Sequence, residues 1–220
     1  MSQRADLADR AGAKFPMDVS RETFDRLEVF TNLLDSWRPI TNLMSHRSRS
    51  VLWTRHIADC AQLVHVEPRA KAWLDLGAGA GFPGLIIAIF LADVVGATVS
   101  LVESDKRKAA FLIEAGRILA LPVKVYARRI EDIVNREFAP PDVVTARALA
   151  PLDALISLAA PVIDNGATGL FLKGEAAQTE LTEELIADRF KYEIIPSQLS
   201  SLSQIVRVTT QAPGRGLWIC

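Results

Sequence analysis

This chain of 220 residues has few cysteines, few histidines and no large excess of charge of either sign. It has two cysteines, Cys60 and Cys220, and no Cys-x-x-Cys pair, so a disulfide framework or a cysteine zinc site is not expected. The three histidines form no His-Glu-x-x-His pattern, and we predict no metal requirement. Twenty-five basic side chains against 26 acidic ones give a net charge of −1. Any contact with nucleic acid must therefore use a local basic surface.

Long apolar runs are missing as well. The longest uncharged stretch spans residues 76–92, and only residues 85–92 are continuously apolar, far fewer than the roughly 20 that a membrane helix needs. Charged residues interrupt the first ten positions, so they do not predict a targeting signal. Hydrophobic residues make up 50% of the chain, which indicates a globular protein rather than a disordered one. We expect a cytoplasmic enzyme or binding protein with no membrane partner.

The first third of the chain has the pattern of helices. Apolar residues recur there every three or four positions, as on one helical face: Phe24, Leu27, Phe30, Leu34 and Trp37. Ser20 is a suitable N-cap, Pro39 predicts the end of this helix, and a second helix is predicted over residues 50–66. We expect a flexible terminus at residues 1–19, a helical extension over residues 20–70 and a main domain over residues 71–220, with the last two forming one compact unit.

From residue 72 onward, short strands alternate with helices. The predicted strands span residues 72–76, 98–103, 123–127, 142–147 and 169–173. Helices are predicted over residues 83–92, 106–119, 131–136, 152–159 and 176–189. This alternation indicates an α/β fold with a mostly parallel sheet and helices on both faces. Two further strands, over residues 192–199 and 204–210, predict an antiparallel hairpin at the sheet edge.

The strongest local signal is a glycine-rich loop after the first predicted strand. Residues 79–84 match the pattern G-x-G-x-x-G, and Glu103 ends the second strand 22 residues after Gly81. A carboxylate at this spacing can accept hydrogen bonds from a ribose diol, either in a dinucleotide or in S-adenosyl-L-methionine. Asp75 favours the methyl donor, because its charge would repel a pyrophosphate and suit a sulfonium group. A nicotinamide-dependent oxidoreductase remains an alternative, as does a loop whose glycines serve only packing.

Several motifs resemble those of one known family. They are Trp37 and residues 41–43, 55–59 (Arg-His-Ile-Ala-Asp), 74–84 (ending in Gly-Phe-Pro-Gly), 102–104, 129–131, 146–148 and 172–174. On these motifs, the chain from about residue 24 to residue 210 resembles the bacterial small-subunit ribosomal RNA guanine-N7 methyltransferases, the RsmG family. Two departures, Ala80 where proline is frequent and Cys60 where serine is common, do not touch the proposed chemistry.

The resemblance implies a Rossmann-like class I methyltransferase fold with an N-terminal helical extension. It also implies transfer of a methyl group from S-adenosyl-L-methionine to guanine N7 in the 530 loop of 16S rRNA, with the 30S subunit or its naked RNA as partner. Arg147 would hold the methionine carboxylate or an RNA phosphate. Together with the loop pattern, the resemblance gives these cofactor-binding candidates: Gly77, Gly79, Phe82, Glu103, Ile130, Glu131 and Arg147.

Guanine N7 carries a lone pair and no proton, so its attack on a sulfonium methyl group needs no general base. We therefore predict alignment rather than proton transfer, and assign no catalytic side chain. The fourth strand ends in Thr-Ala-Arg-Ala instead of the Asn/Asp-Pro-Pro-aromatic motif of enzymes that methylate exocyclic amines, and no Pro-Cys dipeptide supports cytosine-C5 chemistry. Arg129 and Lys173 are candidates for holding guanine O6.

Basic residues are concentrated in two stretches that could bind RNA across the cofactor mouth. They are Arg38, His46, Arg47, Arg49, Arg55 and His56, followed by Lys106, Arg107, Lys108, Lys124, Arg128 and Arg129. The alternative is an ordinary solvated surface. Trp37 and Trp53 either stack on bases or pack in the core. A further alternative is an RNA-binding module with a degenerate cofactor pocket. The complete set of loop glycines and acids argues against this alternative.

Overall fold

The computed structural model describes residues 12–45, 50–134, 140–174, 189–199 and 203–211. Helix α1 (Arg21–Trp37) has the predicted N-cap, because Ser20 Oγ accepts a hydrogen bond from the Thr23 N–H at 3.1 Å. A π-helical turn (Leu52–Ile57) then leads directly into helix α2 (Ala58–Val66). The second predicted helix is therefore a single helical segment made of two kinds of turn.

In the described part of the chain the main domain has seven strands, and helices separate the first five of them. In chain order its elements are β1 (Ala72–Leu76), α3 (Gly84–Phe90), β2 (Thr98–Val102), α4 (Lys106–Ile118), β3 (Val123–Tyr126), a 3-10 helix (Ile130–Asp132), β4 (Val143–Arg147), α5 (Leu152–Ile163), β5 (Thr168–Gly174), β6 (Phe190–Pro196) and β7 (Ser203–Thr210). The strand order is β3-β2-β1-β4-β5-β7-β6. Strands β1 to β5 pair in parallel, and β6 and β7 form an antiparallel hairpin beside β5. This confirms the predicted Rossmann-like sheet and its edge hairpin.

Some predicted helices differ in length from the observed ones or fall partly outside the described residues. The helix predicted over residues 131–136 is a single 3-10 turn, and residues 135–136 lie outside the described residues. Helix α5 continues past Ala159 and through Pro161, because burial of Val162 and Ile163 offsets the backbone hydrogen bond that proline removes. The helix predicted over residues 176–189 lies outside the described residues except for its last position.

Alternation along the strands gives the sheet two buried faces. Trp73 of β1 belongs to a hydrophobic cluster that also contains Leu27 and Phe30 of α1. Its neighbour Leu74 belongs to a second cluster, built with α5 on the opposite face. Since side chains two positions apart share a face, Asp75 lies on the side that the helical extension covers.

Trp37 and Trp53, for which base stacking was the alternative to core packing, both contact the core. Trp53 is 1% exposed and its ring stacks on Phe24, with 5.3 Å between ring centroids. Trp37 is half-buried and its ring meets the edge of Phe111 at 5.7 Å. The core interpretation is therefore correct for Trp53, which has no exposed face on which a base could stack.

Candidate functional site

A cavity of about 580 Å³ opens at the carboxyl edge of the parallel strands. Its volume is typical of small-molecule sites, which measure about 300–1,000 Å³. It is lined by all seven residues predicted to bind the cofactor: Gly77, Gly79, Phe82, Glu103, Ile130, Glu131 and Arg147. These residues follow or end four different strands, and parallel strands bring their carboxyl ends to the same edge. The topology therefore unites segments that are far apart in sequence.

The loop after β1 has a backbone that only glycine adopts without strain. Gly77 has a φ of +70° and Gly79 a φ of +54°, both in the left-handed region. A Cβ atom on Gly79 would have the Gly77 carbonyl oxygen as its nearest neighbour, at 3.7 Å. Because Gly79 lines the cavity and a Cβ there would not be crowded, we expect a side chain at this position to extend into the cavity and take space from a ligand.

Glu103 ties this loop to the end of β2. Its Oε2 accepts a hydrogen bond from the Gly79 N–H at 2.8 Å, and its Oε1 accepts one from the Asp105 N–H at 2.8 Å. Each carboxylate oxygen has a second lone pair, with which it can accept a hydrogen bond from a ligand hydroxyl. Glu103 therefore shapes two turns at the cavity, in addition to being available for the predicted ribose contact.

Asp75 lies beneath the loop and is not among the residues that line the cavity. It is fully buried; its Oδ2 accepts a hydrogen bond from the Gly84 N–H at 2.9 Å, and its Oδ1 has no partner among the described residues. Burial raises the pKa of Asp75 to about 8; repulsion from Glu103 adds to the rise and the Gly84 N–H opposes it. The negative charge used above to favour a sulfonium ligand is therefore mostly absent at neutral pH, and Asp75 instead holds the loop.

Asp75 should make the stability of the protein depend on pH. Its folded pKa of about 8 exceeds the unfolded value of about 3.9, so stability is complete below the unfolded value and falls as pH rises through the folded one. Asp75→Asn keeps an oxygen for the Gly84 N–H but cannot titrate. We expect this variant to lose less melting temperature than the wild type between about pH 5 and about pH 9.

Thermal unfolding across this range is the measurement, and Asp93→Asn is the control. Asp93 is on the surface, and its hydrogen bond to Arg26 lowers its pKa, so it titrates at lower pH. The control should follow the pH dependence of the wild type. Parallel curves for Asp75→Asn and wild type would show that Asp75 is already ionised in the folded protein.

Arg147, at the end of β4, connects the cavity with the start of α2. Its Nη2 donates to the Arg55 carbonyl oxygen at 3.4 Å, and its Nη1 lies 3.8 Å from Cys60 Sγ.

His56 lines the same cavity, with its ring centroid 5.6 Å from that of Phe82. Burial lowers the pKa of His56 to about 4, and the charges of Arg147 and Arg55 add to the effect. The expectation that His56 adds positive charge here is therefore wrong: it is neutral at neutral pH.

Two residues of the turn after β3, Ile130 and Glu131, line the cavity. Ile130 and Glu131 begin the 3-10 helix, where N–H groups have no intrahelical acceptor. These donors belong to the two residues for which the adenine contact is predicted.

Arg129 also lines the cavity, and its exposed guanidinium lies 3.8 Å from the Glu131 carboxylate. Lys173 does not line the cavity, and its Nζ donates to the Ala150 carbonyl oxygen at 3.2 Å.

The sequence predicted Phe82 on the apolar side of the cavity but missed other apolar residues there. These are Met44, Ala148, Leu149 and Leu158. Residues 148–150 did have a usable signal, because they directly follow a strand and so must lie at its carboxyl end. Met44 had no such signal, since only the packing of the helical extension on the sheet brings it to this edge.

Neither a metal centre nor a membrane span is found in the part of the chain that the structure describes. Within residues 12–45, 50–134, 140–174, 189–199 and 203–211, no three His, Cys, Asp or Glu side chains form a group that could hold a metal ion. No helix in those same ranges has the length and apolar character needed to cross a bilayer.

Burial raises the pKa of Cys60 to about 12, so this cysteine is a thiol rather than a nucleophilic thiolate.

Known proteins match the chain over most of its length. The family model described as rRNA small subunit methyltransferase G (GidB) matches residues 23–206. A protein of that name from Methylobacterium radiotolerans is 44% identical over 204 residues, which are 93% of this chain and 96% of that protein. Another from Nitrobacter winogradskyi is 49% identical over 175 residues, 80% of this chain but 63% of that longer protein. An SAH-bound methyltransferase from Podospora anserina has a TM-score of 0.61 at 11% identity, over 96% of this chain and 95% of that one, so the two share a fold.

Proposed function

Because the chain belongs to the rRNA small subunit methyltransferase G family, we propose that it methylates N7 of a guanine in the 530 loop of 16S rRNA. Family membership makes it an rRNA methyltransferase that uses S-adenosyl-L-methionine, and not a nicotinamide oxidoreductase or an RNA-binding module with a degenerate pocket. The observation that carries the proposal is the meeting of all seven predicted cofactor residues in one cavity. The proposal includes the cytoplasm as location and the 30S subunit or its free RNA as substrate.

The residues of the cavity fit S-adenosyl-L-methionine. The Glu103 carboxylate can accept hydrogen bonds from the ribose hydroxyls, and the N–H groups of Ile130 and Glu131 can donate to adenine ring nitrogens. Gly77 lines the cavity, where its backbone can approach the methionine portion, and Phe82 supplies an apolar wall. When bound, the donor supplies a methyl group on a positively charged sulfur.

The chemistry at guanine N7 requires positioning of the base and exclusion of water. The end of β4, with Arg147 at its tip, lacks the side-chain set that enzymes use to methylate exocyclic amines. Arg147 can instead hold the methionine carboxylate or an RNA phosphate through its planar guanidinium. His56 is neutral, so it adds no positive charge beside a purine that becomes cationic on methylation. These features support N7 as the acceptor atom.

Methyl transfer to defined RNA tests the proposed function. The purified chain is incubated with labelled S-adenosyl-L-methionine and either 30S subunits or naked 16S rRNA, with 23S rRNA as the control. Nuclease digestion and mass spectrometry should then find N7-methylguanosine in the 530 loop and none in the control RNA. A methyl group on another guanine atom, or a product outside that loop, would contradict the proposal.

A second groove of about 820 Å³ adjoins the cofactor cavity and offers a path for RNA. The two share Leu43, Met44 and Lys108. Basic side chains of the groove are Arg38, Arg107 and Lys108. Of the predicted basic residues, His46, Arg47 and Arg49 lie outside the described residues.

We propose that the RNA strand next to the target guanine crosses this groove. Among the described residues that line it, the one carboxylate is that of Asp105, which accepts hydrogen bonds from the N–H groups of Arg107 and Lys108 and so serves as the N-cap of α4. The exposed Arg107 side chain stands at the start of this helix, beside the cavity. The groove therefore combines positive charge with continuity to the reaction site.

Arg107→Ala should weaken RNA binding and reduce its salt dependence. Loss of one phosphate contact lowers the slope of log K against log salt by about 0.7–0.9. Arg117→Ala is a matched control, because it removes the same charge near the other end of α4, where Arg117 pairs with Glu114. Filter binding across a salt series is the measurement. Equal slopes for both variants and the wild type would remove Arg107 from the RNA interface.

A further inference from the structure

We infer that Lys173 is a positioning residue for methyl transfer, which fixes the segment after β4 and so holds Leu149 against Gly77 in the donor cavity. This inference rests on the proposed function and deepens it. Lys173 lies on β5, whereas Gly77 follows β1, with β4 between the two strands. Because Lys173 does not line the cavity, it acts through the chain rather than by touching the substrate.

The first contact joins β5 to the segment after β4. The ammonium of Lys173 donates to the Ala150 carbonyl oxygen at 3.2 Å. In the β4–β5 register, Arg147 is opposite Leu172, so the chain that leaves β4 passes the end of β5 where Lys173 stands. A hydrogen bond from a charged donor is stronger than one between neutral groups. Lys173 therefore fixes this short segment before α5 begins.

The same segment has an uncommon backbone conformation. Ala148 has a φ of +51°, in the left-handed region that residues with a Cβ atom rarely adopt. Such a conformation persists only where the surrounding structure holds it, and it is frequent at functional sites. The hydrogen bond from Lys173 to Ala150, two residues after Ala148, is one such restraint.

The second contact crosses from this segment to the glycine loop. Leu149 Cδ1 lies 2.6 Å from the position that a Cβ atom on Gly77 would occupy, so the leucine side chain covers that side of the glycine. Both residues line the cavity. Leu149 thus forms a wall beside the proposed place of the methionine portion, and a displacement of about 1 Å in such a wall is enough to disturb alignment for transfer.

A double-mutant cycle tests this connection. Lys173→Met and Leu149→Ala should each lower kcat about tenfold, while the Kd for S-adenosylhomocysteine measured by calorimetry changes less than about threefold. The double variant should be no slower than the slower single variant, because both changes release the same wall. Lys173→Arg, which keeps the donor, should restore most of the rate.

Lys71→Met is the matched control. Lys71 also donates its Nζ to a carbonyl oxygen, that of Val95 at 3.1 Å, but it precedes β1 at the opposite edge of the sheet. This variant should keep the wild-type kcat. In the protein without ligand, Lys173→Met should also speed hydrogen exchange about tenfold in the peptide covering residues 148–155, and Lys71→Met should not.

An unchanged kcat in Lys173→Met, unchanged exchange at residues 148–155, or multiplying effects in the double variant would each overturn the inference. Failure of the proposed function gives a different result. If the wild type modifies another base or another RNA, the exchange experiment is unaffected and the cycle is repeated with the substrate found.

Discussion

Gly79→Val should weaken the binding of S-adenosylhomocysteine at least about 100-fold and leave the protein folded. Gly79 lines the cavity, and apart from its two chain neighbours a Cβ added there would meet no protein atom closer than the Gly77 carbonyl oxygen at 3.7 Å. The valine methyl groups would therefore occupy space that the ligand needs. Gly77→Val is a less direct test, because its Cβ would also displace Leu149. Calorimetry with the purified variant measures the loss.

Gly96→Val is the control that distinguishes the effect of a filled ligand site from the effect of backbone strain. Gly79 and Gly96 have φ values of +54° and +81°, so valine at either position carries a strain of about 1–2 kcal/mol. A Cβ at Gly96 would meet nothing within 4 Å, and Gly96 does not line the cavity. We expect Gly96→Val to lose melting temperature as Gly79→Val does and to keep the wild-type Kd. Wild-type affinity in Gly79→Val would show that the donor does not lie against this loop.

RNA with 7-deazaguanosine at the target position should accept no methyl group, to below about 1% of the normal rate. The replacement puts a C–H in place of N7 and removes the attacking lone pair, while it keeps O6 and the Watson–Crick edge. Single-turnover transfer of a labelled methyl group measures the effect. The modified RNA should still compete with normal RNA, because the phosphate contacts and the remaining base edge are intact.

Methylation of the 7-deaza RNA at the normal rate would place the methyl group on another atom. The pH dependence gives a second result from the same assay. Since no proton leaves N7, the single-turnover rate should stay level from about pH 6 to about pH 7.5, below the Asp75 pKa of about 8, whereas attack by N1 or the exocyclic amine would need a base and would rise with pH. His56, with a pKa near 4, does not change its charge in that range.

The general architecture could be predicted because strand and helix patterns depend on local sequence. The strand that ends at Leu76, the turn at Gly77 and the carboxylate of Glu103 are set by hydrophobic alternation, backbone sterics and spacing. Parallel strands then require the loops that follow them to meet at one edge. The position of the cavity follows from these facts, whereas Gly77, Phe82, Ile130, Glu131 and Arg147 were predicted from the family resemblance.

Other features depend on long-range packing that no local pattern contains. The charge of His56 is set mainly by burial and by Arg147 from the end of β4, with a smaller effect from its neighbour Arg55. The proton on Asp75 follows from complete burial, which its motif does not reveal. Lys173 was a candidate for guanine binding because of its motif, but its contact with Ala150 follows from the β4–β5 register. Burial and register were therefore the missing information.

A crystal structure with S-adenosylhomocysteine tests the central claim most directly. The account predicts the adenine beside the N–H groups of Ile130 and Glu131, the ribose hydroxyls at Glu103 and the homocysteine portion along the backbone of Gly77 and Gly79. Density for the ligand at any other place on the protein, with this edge of the sheet empty, would contradict it.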